Sequence, residues 1–223
     1  ATVQPSATLP QVQPTPISDP TTGLVDCGNW AVSATWNVPA NAVSGVYVAK
    51  LVREVPADGG ASHVIFVVRD DDGNSELLFQ TNDATWQAYN TYGGNSLYLG
   101  SPAGRAYKVS YNRPLLTRCC DFPNGAIVSQ FFAAQYPMVR WLEANGYDVS
   151  YTTCADSDRR GAEIPEHEVF LSVGHDEYWS AGQRANVEAA RDAGMHLAFF
   201  SGNEVFWKTR WEPSKVDRTP NRT

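Results

Sequence analysis

The chain has 223 residues, of which 43% are hydrophobic and 18% charged, and its formal net charge is -7 at pH 7. That composition buries enough apolar surface to fold and is unlike a disordered chain, and the length suits one large domain or two small ones. The acidic balance offers no basic footprint for a polyanion, so nucleic acid is not an expected partner, and no apolar run reaches the roughly 18 to 20 residues that span a bilayer.

Residues 1–22 carry five prolines and no apolar periodicity, which predicts an extended Pro/Thr-rich arm. With no Met at its start, this stretch reads as the mature end of a secreted or cell-surface protein, or as a cut within a longer precursor. Over residues 23–73 the β-branched and aromatic runs at 30–38, 46–52 and 64–69 are separated by Pro39, Gly45, Pro56 and Gly59-Gly60, the punctuation of antiparallel strands. Three such strands form an incomplete layer, expected to be part of a β-sandwich.

After the turn-rich residues 70–74 the pattern changes, and residues 74–223 read as a second domain. Strands are expected at 77–81 and 107–111. A helix over 129–145 has Pro137 as a kink or a start and Gly146 as its stop. Strands at 148–153 and 168–173, a helix at 180–193 and a strand at 195–200 complete the series. Ser180 stands three residues before Gln183 as a capping box, and Gly194 follows the helix as its C′ glycine. This alternation predicts an α/β fold on an open, mostly parallel sheet.

Cys27, Cys119, Cys120 and Cys154 allow three pairings. A bond between the adjacent Cys119 and Cys120 is strained, so each is expected to reach a distant partner.

In an open parallel sheet, ligands bind beyond the carboxyl ends of the strands. Two polar clusters follow such ends: Gly174-His175-Asp176-Glu177 after the strand at 168–173, and Ser201-Gly202-Asn203-Glu204 after the strand at 195–200. In extended backbone His175 and Glu177 project to the same side, because strand side chains alternate with period two. Asn203 on a neighbouring strand then adds an amide that can bond a substrate carbonyl or orient a water. The Tyr- and Asn-rich run at 85–98 reads as a loop, either packed over the sheet edge or held against a ligand. No G-x-S-x-G, P-loop, G-x-G-x-x-G or H-E-x-x-H pattern occurs.

Five segments carry a resemblance: TWQAYNTYGGNSLY at 85–98, SYNRP at 110–114, RWLEANGYDVSY at 140–151, VGHDEYW at 173–179 and FFSGNEVFWKTRW at 199–211. In this order they resemble the N,N-dimethylformamidase large (beta) subunit family over about residues 77–223. SATWNVPANAVSGVYVAKL at 33–51 resembles the end of the β-sandwich that precedes that domain.

The resemblance implies a glutamine-amidotransferase-like, flavodoxin-like fold and, in the amidase, an iron held by two tyrosines and a glutamate. Glu177 matches the glutamate ligand, His175 the nearby histidine and Asn203, with Glu204 beside it, the polar pocket. Tyr92 and Tyr89 are the tyrosines of the matching motif, and Tyr111 is a third candidate. Two phenolates and a carboxylate form a hard anionic set suited to Fe3+. The function implied is metal-assisted hydrolysis of the carbon–nitrogen bond of a small amide. The rival is an exported, non-enzymatic module that keeps the fold for glycan binding or surface assembly. A companion chain, or the remaining C-terminal part of the same precursor, is expected to complete the domain in an oligomer.

Overall fold

The structure is a computed structural model that describes residues 11–54, 60–116 and 131–223. Its centre is a four-stranded, wholly parallel sheet of β5 (Leu77–Thr81), β6 (Val149–Thr153), β7 (Val169–Val173) and β9 (His196–Phe200), in the order β6-β5-β7-β9. Successive side chains of these strands point to opposite faces, and the core divides accordingly. On one face Phe79, Tyr151, Leu171 and Val173 pack with Trp86, Phe131, Val139 and Leu142. On the other, Leu78 and Phe170 pack with Ile164, Trp179, Val187, Ala190 and Met195. The α/β class and the parallel sheet are therefore as expected.

Helices cover both faces. α2 (Tyr136–Ala144) begins with a proline in its first turn, continues a π-turn at Phe131–Gln135 and ends before Gly146, whose φ is 73°. Pro137 is thus a start and not a kink, since its missing N–H costs nothing in a first turn. α4 (Ala181–Asp192) is capped as its sequence implies: the Ser180 hydroxyl accepts the Gln183 N–H at 3.0 Å, and Gly194 takes φ 111°. Two short helices, α1 (Asp83–Tyr89) and α3 (Cys154–Arg159), directly follow β5 and β6. β3 (Gly45–Val52) and β4 (Ala61–Val68) pair antiparallel in full register. The apolar side chains Val46, Ile65 and Val67 of this hairpin pack on the Phe79 cluster. β8 (Tyr178–Ser180) and β10 (Trp207–Thr209) form a separate parallel pair.

The chain divides into two compact units. One comprises residues 43–90 and 115–211 and holds everything named so far. The other comprises residues 1–42, 91–114 and 212–223. In it β1 (Ile17–Asp19) and β2 (Leu24–Asp26) form an antiparallel hairpin, so the arm expected over 1–22 carries a strand and the start of a turn near its end. Gly23 makes this turn with φ 74°, and an added Cβ there would lie 2.1 Å from the Ser101 carbonyl oxygen. Arg113 is buried among backbone carbonyls, donating to those of Ser110, Tyr92 and Asn95, and burial lowers its pKa to about 10.

Three expectations are corrected. Residues 30–38 and 107–111 are not strands. Trp30 instead donates its indole N–H to Pro14 O at 2.8 Å, and the backbone N–H groups of Tyr107 and Tyr111 donate to Thr22 O and Arg222 O, with no ladder at 107–111 among the described residues. Cys27 and Cys154 are buried free thiols, so neither carries the expected bridge, while Cys119 and Cys120 lie outside the described residues. Among the described residues no helix is long and apolar enough to cross a membrane.

Phe79 is fully buried on β5 with its ring 5.5 Å from that of Tyr151. Phe79→Ala should destabilise the chain by roughly 3–5 kcal/mol in urea unfolding, the usual cost of a large-to-small change in a packed core. A loss below about 1 kcal/mol would show that this face is not closely packed.

Candidate functional site

β5 lies between β6 and β7, so the connections leaving the carboxyl ends of β5 and β7 diverge and open a crevice between them. Asn82 and α1 follow β5, and the turn Gly174-His175-Asp176-Glu177 follows β7. Gly174, at φ 80°, turns the chain out of the strand. His175 is left with 30% of its side chain exposed, whereas Asp176 and Glu177 are buried at 0% and 2%.

Glu177 is the focus of this turn. The Tyr89 hydroxyl, at the end of α1, donates to its carboxylate at 3.0 Å from Oε1 and 3.3 Å from Oε2. His175 Nδ1 stands 3.4 Å from the same Oε1. A phenol, a carboxylate and an imidazole thus meet within a few ångströms, with the imidazole on the solvent side. Backbone bonds fix the turn: the Glu177 N–H donates to Thr85 Oγ1 at 3.0 Å, and Trp207 N donates to Glu177 O at 2.7 Å. Among the described residues no three His, Cys, Asp or Glu side chains gather at metal-binding spacing. The donor beside the Glu177 carboxylate is the Tyr89 phenol oxygen. The hard oxygen donors of Tyr89 and Glu177, facing each other at hydrogen-bonding distance, fit a ferric ion.

Two further acids lie below. Asp176 accepts from Gln80 Nε2 at 2.6 Å and from Ser172 Oγ at 3.0 Å. Burial, with the Asp83 charge adding to it, raises its pKa to about 7. Glu204 is raised to about 8, first by burial and then by the charge of Asp176. Both Glu204 carboxyl oxygens are buried without a hydrogen-bond partner. The hydroxyls of Ser172 and Ser201 stand near enough to lower the pKa somewhat, but their protons go to Asp176 and to Gly202 O.

Period-two reasoning brings His175 and Glu177 to one side, and the side chains do meet, although through a turn at Gly174. Asn203 is exposed in the loop after β9, one residue from Gly202, where an added Cβ would lie 3.7 Å from His175 Nε2. Tyr89 is at the carboxylate. Tyr92 belongs to the other compact unit, where its ring meets Trp30 edge-on at 6.3 Å and its hydroxyl bonds Cys27. There burial raises the Tyr92 pKa, and the Cys27 thiol is pushed up to about 11 by burial with the Asp26 charge adding to it. Sequence reasoning missed Gln80 and Asn82, and it gave Thr85 and Asp176, which fall in runs it singled out, no part in the site. The missed signal is the spacing of 82, 85 and 89, which puts three polar residues on one face once the run at 85–98 is seen to open as a helix and not a loop.

The chain belongs to the family described as N,N-dimethylformamidase beta subunit-like, C-terminal, whose model matches residues 1–223. Over 151 residues it is 28% identical to the N,N-dimethylformamidase beta subunit of Alcaligenes sp, an alignment that covers 64% of this chain and 19% of that protein.

The raised pKa of Glu204 makes a test of the site's electrostatics. Between the ordinary glutamate value of 4.5 and about 8 the folded chain keeps a proton that the unfolded chain has released, so stability falls as pH rises through that window and levels above it. Glu204→Gln should show a smaller drop in Tm between pH 5 and pH 8.5 than the wild type. Equal drops would mean that Glu204 titrates like an exposed carboxyl.

Proposed function

We propose that the crevice between β5 and β7 is the active site of a metal-assisted amide hydrolase, with Glu177 and Tyr89 as iron ligands and His175, Asn203 and Glu204 as the groups that handle protons and substrate. The observation that carries this reading is the Tyr89 hydroxyl set across both oxygens of a buried Glu177 carboxylate at the switch point of the sheet. Membership of the dimethylformamidase beta subunit-like family supports amide hydrolysis as the reaction class. The strand order β6-β5-β7-β9, which is 2-1-3-4 among the parallel strands, supports a flavodoxin-like sheet of the glutamine-amidotransferase kind.

Hydrolysis of an amide consumes one water: the acyl carbon gains its oxygen, the carbon–nitrogen bond breaks, and the amine leaves with a proton. The attacking water therefore gives up a proton and the departing nitrogen takes one. Histidine is the side chain best suited to both transfers near neutral pH, and His175 is the partly exposed member of this cluster. Its Nδ1 is held near Glu177 Oε1, and the ring reaches toward the Gly202-Asn203 loop. Asn203 is placed on that loop to bond a substrate carbonyl or amide. Glu204, protonated to about pH 8, is a neutral acid in the same loop near Asp176. What iron supplies there when bound is Lewis acidity toward a carbonyl oxygen and a lowered pKa for water. The Alcaligenes sp protein is named as a subunit, which supports an assembly with a companion chain here.

Protein loaded with Fe3+ should bind it stoichiometrically, show a visible phenolate-to-iron band and hydrolyse small formamides. Tyr89→Phe and Glu177→Gln should lose the band, and His175→Ala should keep it while kcat falls roughly 10²- to 10⁴-fold, the range for loss of a general acid–base group. A band that survives Tyr89→Phe, or failure to bind iron, would overturn the assignment.

A further inference from the structure

Asn82 stands at the N-cap of α1, where its side chain ordinarily accepts a backbone N–H of the first turn and contributes about 1 kcal/mol. Here it makes no capping bond. Its amide Nδ2 donates to His175 O at 2.8 Å instead, and its Oδ1 is buried without a hydrogen-bond partner. A fully buried residue thus forgoes helix capping to hold the neighbouring turn. Thr85, one turn on and also fully buried, accepts the Glu177 N–H at 3.0 Å. Tyr89, one more turn on, donates to the Glu177 carboxylate. Positions 82, 85 and 89 lie on one helical face. That face therefore touches residue 175 at its carbonyl and residue 177 at both its amide and its side chain.

We infer that Asn82 and Thr85 are positioning residues, and that together they set the aim of His175 and Glu177 from a single rigid face of α1. The inference rests on the proposed site. Because both bonds are to backbone atoms, they fix where the turn sits without contributing a group to the chemistry. Thr85→Val keeps shape and removes the acceptor, leaving a buried N–H unpaired. Thr85→Ser keeps the acceptor. Asn82→Ser removes the grip on His175 while restoring a residue that caps helices. A role confined to helix stability predicts that Asn82→Ser is harmless, and a positioning role predicts that it is not.

The test reads the histidines in metal-free protein, so that it stands even if iron binding fails. In ¹H–¹⁵N spectra of the imidazoles at fixed pH, the His175 signals should move in Thr85→Val and Asn82→Ser toward their place in Glu177→Gln. They should stay at the wild-type place in Thr85→Ser, and those of His63 and His167 should not move. With iron bound, kcat should fall about tenfold to a hundredfold in the first two variants with KM held within about twofold, the scale of loss for small misplacements of catalytic groups. Unmoved His175 signals in both folded variants overturn the inference. Should Thr85→Val not fold, Asn82→Ser decides by the same signals. Moved signals in a protein that binds no iron would keep the positioning role and remove the metal.

Discussion

Burying the Glu177 carboxylate in a low-dielectric interior costs several kcal/mol unless the charge is met by donors or by an opposite charge. Around the crevice the chain arranges itself to meet that cost. Tyr89 supplies an O–H, His175 brings an imidazole to Oε1, and the backbone of the turn is tied to Thr85 on one side and Trp207 on the other. A neighbouring buried acid would make the cost worse if it were also ionised. Asp176 and Glu204 avoid this by holding protons well above the ordinary carboxylate range. Asp176 is also wired to the sheet: Gln80 of β5 donates to it, and Gln183 of α4 donates to Gln80 at 3.1 Å. The buried Asp176 thus anchors a network that runs from the central strand to the helix behind it.

How much of this was legible in the sequence follows from how each element earns its stability. The strands at 77–81, 148–153 and 168–173 were legible because parallel strands buried on both faces need nearly continuous apolar or β-branched runs, and the edge strand at 195–200 showed the same kind of run although Phe199 and Phe200 stay exposed. α4 was legible because its ends are encoded locally, by Ser180, Gln183 and Gly194. α1 was not. It is seven residues long, below the length at which a helix holds itself in water, and its N-cap residue bonds elsewhere. What holds it is tertiary: Trp86 meets Phe131 edge-on at 5.6 Å, and Ala88 is fully buried. Residues 30–38 and 107–111 failed in the opposite sense, since β-branched and aromatic composition makes a strand only where a partner strand is within reach. Of the site, the meeting of His175 with Glu177 was readable from spacing, and Tyr89 from resemblance. The buried supports were not, because Gln80, Asn82 and Thr85 come from a distant stretch of sequence and show their role only when β5 and β7 are side by side.

The loop after β9 carries a different kind of constraint. Asn203 and Val205 both take left-handed backbone, at φ 58° and 53°. Asparagine tolerates that region, but a β-branched residue there is a true outlier and costs on the order of 1–3 kcal/mol. Two interactions offset the strain at Val205: its N–H donates to Asp176 O at 3.0 Å, and its side chain packs on the cluster of Phe170 and Trp179. Next to residue 205, Glu204 is half-buried near the Asp176 charge, while Asn203 is exposed. The bond at Val205 thus adds a tie to the pairing of β7 with β9, and together they hold the loop after β9 against the turn that carries Asp176.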